Sequence, residues 1–360
     1  MKVKSYLKSV FAVAISAVML SGCYPTGETS LDSYAESAGI EELDEQAPGV
    51  EVNLTLPENT PKEVPVLRIK EKTFDYDYIK SIFIDGKTIV QHEEGNPQGR
   101  FFDAADDGTS IYVNKGEFNL RTETHSNDKI ISSVFVKEIN AEKVFTDVSL
   151  PSFSREDAVE KAKQLLDDLE ISGVSEPDIY AVTPKNFNEF YKTYFEDESV
   201  PDFNENDGYY ILNFEQWVEG LPITPAAINF PKDKLESFGD SRILIAVDEN
   251  GYIRTDFMYV VDNDYELGEN YEIKISAEEA VKRAILSFGT APAENRKREI
   301  TSCQLVYAPI TVPDEDGVYT MYPVWRVAIE VTMNTDEPNN VHKTSKFFNA
   351  QTGNVIKMEN

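Results

Sequence analysis

Phe153–Leu169, FSREDAVEKAKQLLDDL, and Ile275–Gly289, ISAEEAVKRAILSFG, open in the same way and decide how the second half of the chain is read. In each, a serine stands three residues before an acid, Ser154 before Asp157 and Ser276 before Glu279. That spacing lets the hydroxyl and the carboxylate satisfy each other's free backbone amides at a helix start. Ala158, Ala162, Leu165, Leu166 and Leu169 then fall on one helical face, as do Ala280, Ala284 and Phe288. The small alanines allow each helix to approach a sheet closely.

Strands follow both helices. YYILNFEQWVEGLPI from Tyr209 leads to RILIAVDENGYIRTDFMYV, turned at Asn250-Gly251. QLVYAPI and YPVWRVAIEV lead to KFFNAQTGNVIKM, turned at Thr352-Gly353. From capping serine to turn glycine the first copy is longer (251 − 154 = 97 against 353 − 276 = 77), which places an insertion in the acidic, aromatic stretch from Lys185 to Asn206. Upstream, VPVLRIK, YIKSIFIDGKTIVQH, TSIYVNKGEFNLRTET and KIISSVFVKEI read as strands separated by Asp85-Gly86 and Asp107-Gly108 turns. The expected fold is α+β. A β-rich unit over 65–150 precedes two repeats, 151–268 and 269–360, each one helix packed on an antiparallel sheet.

The N-terminus carries a different signal. Lys2, Lys4 and Lys8 precede an apolar run from Val10 to Leu20 that is too short to span a bilayer core of roughly 20 residues. Residues 1–22 read as a cleaved signal peptide. Leu20-Ser21-Gly22-Cys23 is similar to the bacterial lipoprotein cleavage box, and that resemblance implies a diacylglyceryl group on the Cys23 sulfur and an acylated new N-terminus. Two or more chains give stable anchoring where one gives only reversible binding. Residues 23–64 read as an acidic disordered tether, since ten acids face the single base Lys62 from Tyr24 to Pro65.

Charge and motif searches narrow the function. The 34 Lys+Arg and 64 Asp+Glu give a net charge of −30, and removing three lysines with the signal gives 31 − 64 = −33. Such a field repels phosphate backbones, so nucleic acid is excluded as a partner. His92, His125 and His342 lack metal-ligand spacing, and neither a G-x-S-x-G elbow nor a Gly-rich phosphate loop is present. No metal and no cofactor beyond the lipid are expected. Asp202–Gly208 approaches the start of a calcium loop, but its twelfth position is Asn213 instead of a bidentate glutamate, so a plain acidic loop is the reading and calcium binding the alternative. With 64 acids a close carboxylate pair carries no diagnostic weight, and the chain reads as a non-enzyme, with a hydrolase as the remote alternative. Cys303, in ITSCQLVYA, reads as a buried thiol. Tyr209, Trp217 and Trp325 are candidate aromatic surface residues for a wall glycan or a partner, against core packing as the ordinary role of such residues. Strand edges offer a second route, pairing with a partner's extended segment.

The helix openings SREDAVEKA and SAEEAVKRA, the run built from Phe214, Gln216, Gly220, Leu221, Pro222 and Ile223, and the endings VDENGYI and NAQTGNVI resemble the PepSY superfamily. Its modules occur in the propeptides of thermolysin-like proteases and in bacterial surface proteins. Tyr307–Trp325, YAP…YPVW, is similar to accessory regulators of cell-wall sensor kinases. The resemblance implies a non-catalytic module that inhibits or positions a protein partner, held at the extracytoplasmic membrane face. It brings no catalytic residues.

Overall fold

A computed structural model of the 360-residue chain describes residues 35–36, 49–95, 99–122, 130–131, 145, 149–194, 203, 207–224, 241–288, 296–312, 315, 317–333 and 341–356. The described residues form eighteen strands and four helices. The strands are β1 Ala35–Glu36, β2 Val50–Val52, β3 Glu63–Glu71, β4 Ile89–Gly95, β5 Arg100–Ala105, β6 Ser110–Asn114, β7 Glu117–Arg121, β8 Asp178–Val182 and β9 Tyr209–Phe214. They continue as β10 Trp217–Val218, β11 Leu221–Pro222, β12 Arg242–Val247, β13 Tyr252–Met258, β14 Val261–Glu272, β15 Arg296–Thr311, β16 Val318–Met333, β17 Val341–Asn349 and β18 Val355–Ile356. The helices are α1 Tyr76–Phe83, α2 Arg155–Asp168, α3 Pro184–Tyr194 and α4 Ala277–Leu286.

These strands make two large sheets and one small hairpin, so the chain is mostly β, and the expected α+β layout of a β unit followed by two helix-on-sheet repeats is overturned. The first sheet is antiparallel, in the order β4-β5-β6-β7-β13-β12-β9-β8. It fuses the N-terminal strands with those of the first repeat through β7 and β13, where Phe118 faces Phe257. The second sheet runs β1-β18-β17-β16-β15-β2, with β3 paired to both β16 and β14, and it is mixed because β2 lies parallel to β15. The N-terminal strands therefore complete both sheets and form no layer of their own. The expected tether over 23–64 is also shorter than read, because Ala35–Glu36 pairs with β18, Val50–Val52 with β15, and β3 begins at Glu63.

Local chemistry explains the elements. Ser154 caps α2 by accepting from the Asp157 amide at 3.1 Å, and Ser276 caps α4 by accepting from the Glu279 amide at 3.1 Å. The alanines sit where close approach is needed, with Ala158, Ala162, Ala280 and Ala284 fully buried. Tyr76–Phe83, read as a strand from its IFI run, is instead helical. Asp75 accepts from the Tyr78 amide, and Ile79 and Phe83, four apart, turn toward the first sheet. The Asp85-Gly86 pair thus ends a helix where a hairpin was expected.

The first sheet is covered on both faces, as Tyr210 and Phe214 against Tyr209 had suggested. Tyr210, Phe214 and Phe257 pack beneath α1 and α2, while Tyr209 and Leu244 meet Phe187 and Phe190 of α3. On the second sheet, α4 packs over Trp325, Val327 and Phe348. The chain passes between the sheets at two adjacent places. Lys72 donates its amide to the Val260 carbonyl, Val260 to that of Gly116, and Gly116 to that of Lys72, closing a backbone triangle of 2.8–2.9 Å bonds. Beside it β3 pairs with β14 from Glu71↔Val261 to Glu63↔Glu272, so residues 72–260 are inserted into one antiparallel pair.

Candidate functional site at the β4 edge

The strand RFFDAA puts Phe101, Asp103 and Ala105 on one face, and Asp103 is the only acid there. That face turns to α1, and Asp103 is completely buried. Three donors converge on it. The Tyr76 hydroxyl donates at 2.5 Å, the Lys80 ammonium lies 2.8 Å away, and His92 Nδ1, on the neighbouring strand β4, lies at 2.5 Å. Tyr76 stacks on Phe101 with ring centroids 4.2 Å apart. Burial alone would push the Asp103 carboxyl upward, but the hydrogen bonds from Lys80, Tyr76 and His92 outweigh it and hold it below the ordinary carboxylate value. The same carboxylate raises the Lys80 ammonium by its hydrogen bond.

This cluster pins β4, which pairs among the described residues only with β5 and is exposed along most of its length. A bulge between Ile89 and Gln91 leaves Val90 outside the ladder, 63% exposed. Six large apolar side chains are exposed among the described residues, and three of them, Tyr78, Ile82 and Val90, belong to α1 and β4. Glu93 and Glu94 give the same edge a negative charge.

At the other end of α1 an open groove of about 820 Å³ runs past Phe83, Lys87, Thr109, Lys161 and Tyr252. Lys87 pairs with Asp107 at 2.8 Å and donates to the Thr109 hydroxyl at 2.7 Å, and its hydrogen bond leads the influences that draw the Asp107 carboxyl down to about 2. The Tyr252 hydroxyl donates to the Lys161 carbonyl at 2.8 Å, and burial pushes its proton affinity up to about 12.

Tyr209 and Trp325 take the core role that is ordinary for such residues, and the alternative, an aromatic surface of Tyr209, Trp217 and Trp325, does not form. Tyr209 and Trp325 are fully buried, because each sheet is covered on the face they point to, and the Trp325 indole donates inward to the Ile275 carbonyl at 2.8 Å. Trp217 is half-buried in the β10–β11 hairpin, apart from the other two. Cys23 with Leu20, Ser21 and Gly22, and most of the Asp202–Gly208 loop, lie outside the described residues. Among the described residues no three His, Cys, Asp or Glu side chains group as a metal site requires, and no helix is long and apolar enough to cross a membrane. Asp103 was missed although its signal was present, an acid on the apolar parity of a strand.

No family model and no curated protein matches the chain. Among solved structures, an uncharacterized protein from Eubacterium rectale ATCC 33656 is similar, at 17% identity and a TM-score of 0.65, over 86% of this chain and 91% of that one. That likeness shows the fold alone. The likeness to PepSY modules rests on short motifs alone.

Proposed function

We propose that the protein is a non-catalytic binding module of the extracytoplasmic membrane face, anchored through lipid on Cys23, that receives an extended basic segment of a partner protein along β4. The observation that carries this reading is the β4 edge itself, with one partner strand, exposed Val90 and the acids Glu93 and Glu94. An added strand gains affinity from main-chain hydrogen bonds and selectivity from alternate side chains, so it needs no catalytic group. Pinning β4 through His92 and Asp103 prepares the edge before a partner arrives and lowers the ordering entropy of binding. The groove beside Phe83 and Tyr252 favours a second reading, a wall glycan stacked on aromatic rings.

A photo-crosslinking residue at position 90, in cells, should capture one protein, and the Glu93→Lys/Glu94→Lys double variant should lose it. The same probe at Leu267, equally exposed on the other sheet, should capture nothing of that mass. Equal capture at both positions, or capture that survives the charge reversal, sinks the strand-addition reading. If wall fragments instead raise the melting temperature of the wild type and not of Tyr252→Ala, the second reading replaces it. Cys23→Ser should release the protein from the membrane fraction, and retention would refute the anchor.

A further inference from the structure

On the second sheet, away from β4, two cations share one aromatic ring. The Arg298 guanidinium lies 4.7 Å and the Lys346 ammonium 4.6 Å from the centroid of Phe288, which follows the C-terminal end of α4. Both are half-buried. Strand parity puts Arg296 beside Arg298 on β15 and Thr344 beside Lys346 on β17, all on the face that α4 covers. Acids outnumber bases by almost two to one in the whole chain, yet among the described residues neither Arg298 nor Lys346 has a carboxylate partner. The acids on neighbouring positions are engaged elsewhere, with Glu299 accepting from the Asn53 side-chain amide at 2.9 Å. Burial, and after it the charge of Arg298, pushes the Lys346 ammonium below its ordinary proton affinity.

Two partly desolvated like charges close to one ring repel each other, and the ring face offsets only part of that. The negative end of α4 adds some further compensation within its last turn. A bound anion would remove the repulsion outright. Its chemistry follows from the donors. A guanidinium presents a planar fork that fits two oxygens of one group, and an ammonium binds a third as a point charge. A tetrahedral phosphate offers all three at once, which a carboxylate does not. From this juxtaposition we propose that Phe288, Arg298 and Lys346 form a binding site for a phosphate group, with Arg296 and Thr344 at its margin. The long-range field of the protein opposes such a ligand, so the site selects phosphate by short contacts and its occupancy falls as salt rises.

The source of the phosphate is either a soluble phosphomonoester or a monoester lipid headgroup, and both present the same three free oxygens. The test uses the full chain and the Arg298→Gln/Lys346→Gln variant at constant ionic strength. Inorganic phosphate or glycerol phosphate should raise the wild-type melting temperature, and the variant should lose this with at least about a tenfold weaker affinity. Without phosphate the variant should melt no lower than the wild type, because it has shed a repulsion. A variant that melts lower and a wild type indifferent to phosphate would show that the pair only caps α4, and would overturn the site. So would equal stabilisation of both proteins. To separate the sources, sedimentation is compared between phosphatidylcholine vesicles with and without phosphatidic acid. Dependence of sedimentation on both phosphatidic acid and the two cations assigns the site to a headgroup, and response to glycerol phosphate alone assigns it to a soluble monoester. Strand capture at β4 is read independently, so either proposal can fail without the other.

Discussion

Changing Gln216 should loosen the two sheets from one another. The side chain lies between β9 and β10, 4% exposed, and its amide reads both polar groups of one backbone residue. Nε2 donates to the Val261 carbonyl at 2.9 Å, and Oε1 accepts from the Val261 amide at 3.0 Å. Val261 is the first residue of β14, beside the backbone triangle where the chain crosses between sheets. In Gln216→Leu both groups lose their partner, at about 1–3 kcal/mol each. The added apolar burial returns about 1–2 kcal/mol. The net loss of about 2.5 kcal/mol corresponds to a Tm lower by roughly 5–10 °C. Gln216→Glu makes a sharper test. At neutral pH a carboxylate oxygen would face the Val261 carbonyl, so burial and that carbonyl raise the folded-state pKa above its unfolded value. A group raised in this way contributes its stability below the unfolded pKa of about 4.3 and loses it as pH rises through the folded one. Relative to wild type, Gln216→Glu should therefore be weak at pH 7 and recover toward pH 4, while Gln216→Leu stays weak at both. Thermal melts give the global figure, and hydrogen exchange at Val261 reports the junction. An unchanged Val261 protection in Gln216→Leu, or a Gln216→Glu deficit independent of pH, would refute the argument.

Asp103→Asn should lower stability by about 2–4 kcal/mol at neutral pH, since three donors lose a charged acceptor while Lys80 and His92 can return partly to water. Because the Asp103 carboxyl is held low, that difference is present above the unfolded value of about 3.9 and should vanish in acid melts as pH falls through the folded value. Cys303 is buried, donates to the Ala277 carbonyl at 3.6 Å and has its thiol pushed up to about 12, so alkylation at pH 8 should be negligible until urea opens the second sheet. Rapid native labelling would contradict this. Ser154→Ala and Ser276→Ala should each lose about 1 kcal/mol, and the double variant should sum them because the caps lie on different sheets. A double variant far from the sum in urea titrations would show the two caps to be energetically coupled and would refute their independence.

Features encoded within a few residues were legible in the sequence. Ser154 and Ser276 cap helices, and Gly353, at φ 75°, turns β17 into β18. Sheet membership was not legible, because pairing joins residues far apart. Nothing near Glu63–Glu71 says that its partners begin at Val261, and the IFI run in α1 satisfies a strand pattern as well as a helical one. Of the candidate site, the acidic edge of β4 was readable as charge but not as an edge. Tyr209 and Trp325 took the core role that is the default for large aromatics, and the less favoured surface reading failed. The informative residues were polar ones at apolar parity, Asp103 above all.

The placement of residues 72–260 between β3 and β14 also sets a timetable. A chain is made from its N-terminus, at about 5–20 residues per second, so roughly 10–40 s separate synthesis of β3 from that of its partner β14. Throughout that interval Val64, Leu67 and Ile69, buried in the finished molecule, have neither β14 nor β16 to cover them. The inserted sheet holds all of its own strands and can close first. The outer sheet must wait with an apolar ribbon open, and a nascent-chain holding factor would find there its longest-lived target.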